Sequence, residues 1–197
     1  GSYRRFMRIG SMHIQGKTIL APLAGITNLP FRQLIKSCGC SMVCSEMISA
    51  KGMFYNQEKT LRLLASRREE RPLSVQLFGA EPAAMATAAK MIEAMDIADT
   101  LDINFGCSVR KVVKTGAGAA LMKDPDTAEQ ILNAVRDAIS LPLTIKIRSG
   151  WDSTGRQAFQ IAAIAQKAGV DAIALHPRTA LQGFTGHSDW TLIGQLK

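Results

Sequence analysis

Thr144-Ile145-Lys146-Ile147-Arg148 reads as a β-strand with two unlike faces. Successive side chains of a strand point to opposite sides, so the isoleucines share one face while Lys146 and Arg148 share the other. A strand covered by helices on both sides of an open sheet would be apolar throughout. The same division recurs along the chain. Gln76 opposes Val75 and Leu77, Asp102 and Asn104 oppose Leu101, Ile103 and Phe105, and His176 ends the face that carries Ala172 and Ala174. Four strands thus combine an apolar face with one that bears polar groups near the C-terminal end. Convergence of polar groups at that rim is what the active site of a TIM (β/α)8-type barrel requires, and it favours a barrel over a doubly wound sheet.

Working outward, strands are expected at 19–22, 42–46, 73–78, 100–104, 143–148 and 171–176, with helical patterns between them. Asp124 reads as an N-cap with Pro125 in the first helical position, and Ile131, Val135 and Ile139 follow helical spacing. Repeated strand–helix units imply an α/β fold with a parallel sheet. A complete barrel takes ~250 residues, so in 197 residues only the first six strand–helix units are expected, with open edges. Residues 1–11 are expected to be an N-terminal extension, with Gly1-Ser2 a remnant ahead of a native start at Met7. Residues 12–197 are expected to form the partial barrel.

The formal net charge of +8 and the isoelectric point near 9.6 favour an anionic partner. Apolar runs fall short of the ~20 residues that span a bilayer, and the N-terminus lacks an apolar signal core. A cytoplasmic setting with reduced thiols and no membrane association is therefore expected. Cys38, Cys40 and Cys44 have no neighbouring histidine or fourth cysteine to complete a tetrahedral set, so they read as buried structural thiols and no metal is expected. The oligomeric state is open.

Chemistry concentrates in Asp102-Ile103-Asn104-Phe105-Gly106-Cys107-Ser108-Val109-Arg110-Lys111. A strand there ends in a polar residue, a glycine turn, a thiol and then cations. A thiol with an ordinary pKa of ~8.5 is mostly protonated at neutral pH and can act as a general acid, although neighbouring cations favour thiolate. A nucleophile, a metal ligand or a structural cysteine is the alternative. Lys146, flanked by isoleucines, needs a partner when buried. That partner is either an anion or electron-rich cofactor oxygen, or a carboxylate such as Asp102. Gln76 offers donors and acceptors to a heterocycle with imide-like edges, or serves an internal hydrogen bond. Ala21-Pro22-Leu23-Ala24-Gly25-Ile26-Thr27 makes a small-residue turn that a flat ligand can approach. His176-Pro177-Arg178-Thr179 adds an imidazole and a fixed cation. Gly116-Ala117-Gly118 is not a dinucleotide fingerprint, because Leu121 stands where the third glycine belongs. Arg110, Lys111 and Lys114 form one basic cluster and Arg67, Arg68 and Arg71 another.

Taken in order, Ala-Pro-Leu-Ala-Gly-Ile-Thr, Val-Gln-Leu-Phe-Gly, Asn-Phe-Gly-Cys, Gly-Ala-Gly-Ala-Ala-Leu, Lys-Ile-Arg, His-Pro-Arg-Thr and Gly186-His187-Ser188-Asp189-Trp190 resemble the tRNA-dihydrouridine synthase family, in its bacterial DusB-like branch. The resemblance runs from about Met12 to the last residue. It implies FMN-dependent reduction of a uridine C5–C6 double bond in tRNA, with NADPH as reductant. By the same resemblance Cys107 is the proton donor to C5, and Pro22, Leu23, Ala24, Gln76, Lys146 and His176 contact the flavin. Asn104 lies near the target uracil and Arg178 contacts a phosphate or the uracil, while Arg110 and Lys111, which follow Cys107 directly, read independently as the basic rim a tRNA substrate needs. Ser108 departs from the proline that usually follows the family's catalytic cysteine. The family's flavin-phosphate loops after strands seven and eight and its C-terminal helical tRNA-binding domain are expected to be absent, which makes the chain an expected truncated form. Two alternatives stand beside this reading. One is an FMN barrel that acts on a small pyrimidine, like dihydroorotate dehydrogenases, and the other is a non-catalytic RNA-binding barrel piece.

Overall fold

A computed structural model describes residues 6–197, so the reading of Gly1-Ser2 lies outside the described residues. The chain opens with β1 (Phe6–Ile9) and β2 (Met12–Gln15), followed by α1 (Leu29–Ser37), β3 (Val43–Ser49), α2 (Ala50–Phe54) and α3 (Glu58–Arg62). Next come β4 (Leu73–Phe78), α4 (Pro82–Ala94), β5 (Thr100–Phe105), α5 (Arg110–Val113) and α6 (Pro125–Ala138). It closes with β6 (Leu143–Arg148), α7 (Gln157–Lys167), β7 (Ala172–His176) and α8 (Thr191–Leu196).

Strands β3 to β7 pair in chain order as one parallel sheet. Their apolar faces pack outward into a single cluster in which Leu77, Ile103, Phe105, Ile145 and Ile147 meet Met85, Ile92, Ile131, Val135 and Ile161 of the covering helices. The opposite face carries Gln76, Asp102, Asn104, Thr144 and Lys146. This is the polar-inside, apolar-outside arrangement of a partial (β/α) barrel. The expected strands at 73–78 and 143–148 coincide with β4 and β6, and those at 100–104 and 171–176 differ from β5 and β7 by one residue.

The first expected strand, at 19–22, is reduced to a parallel bridge between Ile19 and Met42. Leu20 N donates to Met42 O (2.9 Å) and Met42 N to Thr18 O (3.2 Å). Pro22 has no N–H with which to carry the ladder further. The second expected strand runs on to Ser49 across a register shift between Cys44 and Met47, and the freed Ser45 Oγ accepts from Gln76 N (3.1 Å).

The antiparallel pair β1–β2 is not expected from the sequence, because each strand has only four residues. Its turn needs Gly10, whose φ is +54° and whose missing Cβ leaves room for the Asp171 carboxylate and Pro142. Ile9 and Ile14 pack on Met42 and Ala172, so the hairpin plugs the N-terminal end of the sheet and crosses the expected boundary between residues 11 and 12.

That end is held by one device used twice. Asp99 and Asp171, each just before a strand, accept from the first N–H of the neighbouring strand: Leu73 N to Asp99 Oδ2 and Leu143 N to Asp171 Oδ2, both at 2.8 Å. Arg71 pairs with Asp99 (3.1 Å) and Arg136 with Asp171 (3.4 Å).

A buried ion pair joins α1 to the turn at Arg68–Glu70. Arg32 Nε and Nη2 donate to the two Glu70 carboxylate oxygens at 2.6 and 3.0 Å. The same guanidinium donates to Thr27 O and Ala65 O, both at 2.8 Å.

The thiols near α1 correct the sequence reading in part. Cys44 is buried, which pushes its thiol up to about 12, but Cys38 is exposed at the end of the helix and Cys40 is half-buried. Among the described residues no helix is long and apolar enough to cross a membrane.

Candidate active site

A cavity of about 490 Å³ opens at the C-terminal ends of the strands. Pro22, Leu23, Ala24, Gln76, Asn104, Cys107, Lys146 and His176 all line it, although they come from five separate segments of the chain. Arg178, Arg110 and Lys111 are not in its wall.

The turn at one side is rigid for local reasons. Thr27 Oγ1 accepts from Leu23 N (3.1 Å) and donates to Leu23 O (3.2 Å), which closes the turn from Leu23 to Thr27 directly after Pro22. Gly25 N donates to Glu46 Oε1 of the bulged strand β3, and Gly25 itself sits at φ +77°.

Lys146 projects into the cavity from β6. Burial pushes its ammonium pKa down, Asp102 pulls it back up and Arg148 lowers it further. The alternative of an ion pair with Asp102 is not formed, and among the described residues Nζ has neither a hydrogen-bond nor an ion-pair partner. An unpaired, largely desolvated ammonium is costly unless a ligand supplies an acceptor.

Gln76 does make the internal bonds that were its alternative. Its Nε2 donates to Asp102 Oδ2 (2.7 Å), and its Oε1 accepts from Asn104 Nδ2 (2.9 Å). One amide hydrogen is left to face the cavity. Asn104 Oδ1 accepts from Gly106 N (3.1 Å) and Cys107 N (2.9 Å), so this side chain holds the thiol's loop.

Cys107 is half-buried in the cavity wall. Behind it, Ala119 N donates to Cys107 O (2.9 Å). Gly118 packs so closely that an added Cβ would lie 2.6 Å from Cys107 O, at a φ of +62°. Gly116-Ala117-Gly118 is therefore the buttress of the cysteine loop.

His176 ends β7 beside three cations. Burial and then Arg148, Lys146 and Arg178 lower its pKa to about 4, so the ring is neutral near pH 7. Arg178 can only donate, so the 3.4 Å approach of its Nη1 to His176 Nε2 assigns the ring proton to Nδ1. A folded-state value below the unfolded ~6.5 means that the unfolded chain binds more protons between the two. Stability from this group is thus complete above pH 6.5 and is lost as the pH falls toward 4. In a pH titration followed by NMR, the His176 ring is expected to turn over near 4; a midpoint at the ordinary histidine value would contradict this environment.

Arg148 is the site residue that sequence reasoning missed. Its Nε donates to Gly106 O (2.7 Å) and its Nη1 to Thr179 O (3.0 Å) and Gly183 O (2.8 Å), and the guanidinium lies over the Phe184 ring at 5.6 Å. It clamps the cysteine loop to the loop after β7. Its place beside Lys146 on the polar strand face was the available signal, but a cation bonded to three carbonyls cannot be told from a free one in sequence. Arg178 likewise donates to Gly186 O (3.2 Å) and shapes the loop after β7.

Arg110 and Lys111 are exposed on the single turn of α5, just beyond Val109 of the cavity rim, with Lys114 exposed at its C-cap. Arg67, Arg68 and Arg71 are not part of this face. Arg71 precedes β4 and is paired at the opposite end of the sheet.

Comparison with known proteins adds a common identity. The family described as dihydrouridine synthase (Dus) matches residues 19–197. A probable tRNA-dihydrouridine synthase of Rickettsia conorii is 41% identical over 192 residues, covering 97% of this chain and 58% of that protein. The tRNA-dihydrouridine synthase B proteins of Pseudomonas aeruginosa and Xanthomonas campestris are 39% and 42% identical, each covering 97% of this chain and 57% of the relative. The chain thus spans less than two thirds of the curated relatives it matches. Among solved structures, a truncated 3-deoxy-D-arabino-heptulosonate 7-phosphate synthase of Thermotoga maritima superposes with a TM-score of 0.51 at 13% identity, covering 98% of this chain and 64% of that one, a likeness of fold.

Proposed function

Because the chain belongs to the dihydrouridine synthase (Dus) family, we propose that its cavity binds FMN and that the chain contributes to reduction of uridine to 5,6-dihydrouridine in tRNA, with NADPH as reductant. The observation that carries this reading is the unpartnered Lys146 ammonium on the wall of the same cavity as the Cys107 thiol.

The residues present fit a flavin. Lys146 Nζ and the remaining Gln76 amide hydrogen are donors that suit the electron-rich oxygen and nitrogen edge of its ring, and Pro22, Leu23 and Ala24 offer an apolar turn for a flat face. His176, kept neutral, offers Nδ1–H without adding another positive charge. When bound, FMN supplies the hydride for uracil C6.

The chain's own part is the proton. Cys107 Sγ–H gives it to C5 as general acid, a contribution of about 10²–10⁴-fold when the acid is well placed. Asn104 and Arg148 fix the loop that presents the thiol, the former at Cys107 N and the latter at Gly106 O. A uracil reaches such a cavity only if it leaves the tRNA stack, and the enzyme must hold the flanking phosphates while it does so. Arg110, Lys111 and Lys114 on the rim provide that charge, which a small pyrimidine substrate would not require. Arg178 stands outside the cavity wall and shapes the loop after β7, from which Phe184 lines the cavity.

The test of cofactor placement is Lys146→Ala. Fluorescence titration with FMN is expected to show affinity falling by about tenfold or more, the scale of one lost charge-assisted hydrogen bond. Equal affinity of the two proteins would remove Lys146 from the flavin site.

A further inference from the structure

The polar face of the sheet carries a continuous relay that begins well below the cavity. Asp102 is buried, with Oδ1 accepting from Thr144 Oγ1 (2.5 Å) and Oδ2 from Gln76 Nε2 (2.7 Å). Gln76 Oε1 accepts from Asn104 Nδ2 (2.9 Å), and Asn104 Oδ1 accepts from the N–H groups of Gly106 and Cys107 (3.1 and 2.9 Å). The sheet register makes this run possible, because Gln76 sits directly beside Asp102 on adjacent parallel strands while Asn104 follows Asp102 by two residues on the same face.

Each amide in the relay could sit either way round, and only one arrangement satisfies every atom. The two backbone N–H groups can only donate, so Asn104 must turn its oxygen toward them and its nitrogen toward Gln76. Gln76 must then turn its oxygen to Asn104 and its nitrogen inward. The inward end therefore has to be an acceptor, and a carboxylate is the side chain that accepts on both oxygens. We infer that Asp102 is a positioning residue for Cys107, fixing through Gln76 and Asn104 the direction of the amide chain that anchors the cysteine loop. It also selects which edge of Gln76 the cavity meets. Burial raises the Asp102 pKa, while the hydrogen bonds from Thr144 and Gln76 and then the Lys146 charge act against that rise and favour the carboxylate.

In catalysis, a consequence that rests on the acid role proposed for Cys107, losing the acceptor would lower the rate of the protonation step. The relay itself can be read without any reaction, by amide hydrogen exchange of Gly106 and Cys107 in this chain, followed by NMR. Asp102→Leu and Asp102→Asn replace the side chain by groups of nearly equal size, but only asparagine keeps an oxygen for Gln76, with its amide turned to the Thr144 hydroxyl. The Leu variant is expected to exchange these two amides about tenfold or more faster than the wild type, and the Asn variant to stay within about twofold of it. Should Asp102→Leu not fold, Gln76→Met breaks the next link and is expected to release the same two amides. Amides of α6 serve as the reference and are expected to keep their wild-type rates. Equal behaviour of Leu and Asn at position 102, or undiminished protection of Gly106 and Cys107 in Gln76→Met, would overturn the assignment. Either result leaves the flavin reading to its own titration.

Discussion

Cys107→Ala is expected to abolish measurable dihydrouridine formation while leaving flavin binding and its reduction by NADPH intact, in any form of the protein that reduces tRNA uridine. The thiol lies in the cavity wall but its sulfur makes no bond that holds the wall together. The loop is kept in place through backbone atoms instead, with Asn104 on Cys107 N and Ala119 on Cys107 O. Removing Sγ therefore takes away the acid without disturbing the lysine and glutamine on the other strands. The rate loss should approach the 10²–10⁴-fold range of a well-placed general acid, and it should appear in kcat with little change in the affinity for tRNA. Quantifying dihydrouridine in digested tRNA checks this. Full product from the alanine variant would remove Cys107 from the proton-transfer step.

The largest effect on stability is expected at Arg32, which is not part of the cavity wall. Both partners of the Arg32–Glu70 pair are almost wholly buried, at 2% and 0% side-chain exposure. Arg32→Met would leave the Glu70 carboxylate buried without its cation, a loss of about 3–5 kcal/mol for such pairs. It would also free Thr27 O and Ala65 O, and Thr27 is the residue that closes the turn directly after Pro22. Urea denaturation should therefore show a large drop in midpoint. Arg32→Met combined with Glu70→Leu should recover much of it, since an apolar pair of similar volume removes the orphaned charge. A single variant as stable as the wild type would contradict the structural role assigned to the pair.

The strands were readable because alternation survives on the scale of a few residues. Lys146 between Ile145 and Ile147, or Asp102 and Asn104 between Leu101, Ile103 and Phe105, report the two faces directly. Legibility failed where the backbone, rather than the pattern, decides. At 19–22 the pattern promised a strand that Pro22 prevents, and the β1–β2 hairpin depends on a single glycine turn and on Met42 and Ala172, which are distant in sequence. The candidate site shows the same contrast. Residue types suited to a flavin could be picked out one strand at a time, and the structure gathers them around one cavity. Their couplings could not be picked out. The Gln76–Asp102 bond depends on the register of two strands, and the Arg148 clamp joins loops 106 and 179–183. Gly116-Ala117-Gly118 could be excluded as a dinucleotide fingerprint, but the close approach by which Gly118 backs Cys107 could not be read from the sequence.

The central claim is that this cavity brings reduced flavin, uracil and the Cys107 thiol together. Its most direct test is a single-turnover experiment without oxygen, in which the FMN-loaded protein is reduced, the reductant is removed and tRNA lacking dihydrouridine is added. The expected result is flavin reoxidation accompanied by an equal amount of dihydrouridine in the digested tRNA. Flavin that stays reduced in the presence of this tRNA, or reoxidises without forming dihydrouridine, would contradict the claim.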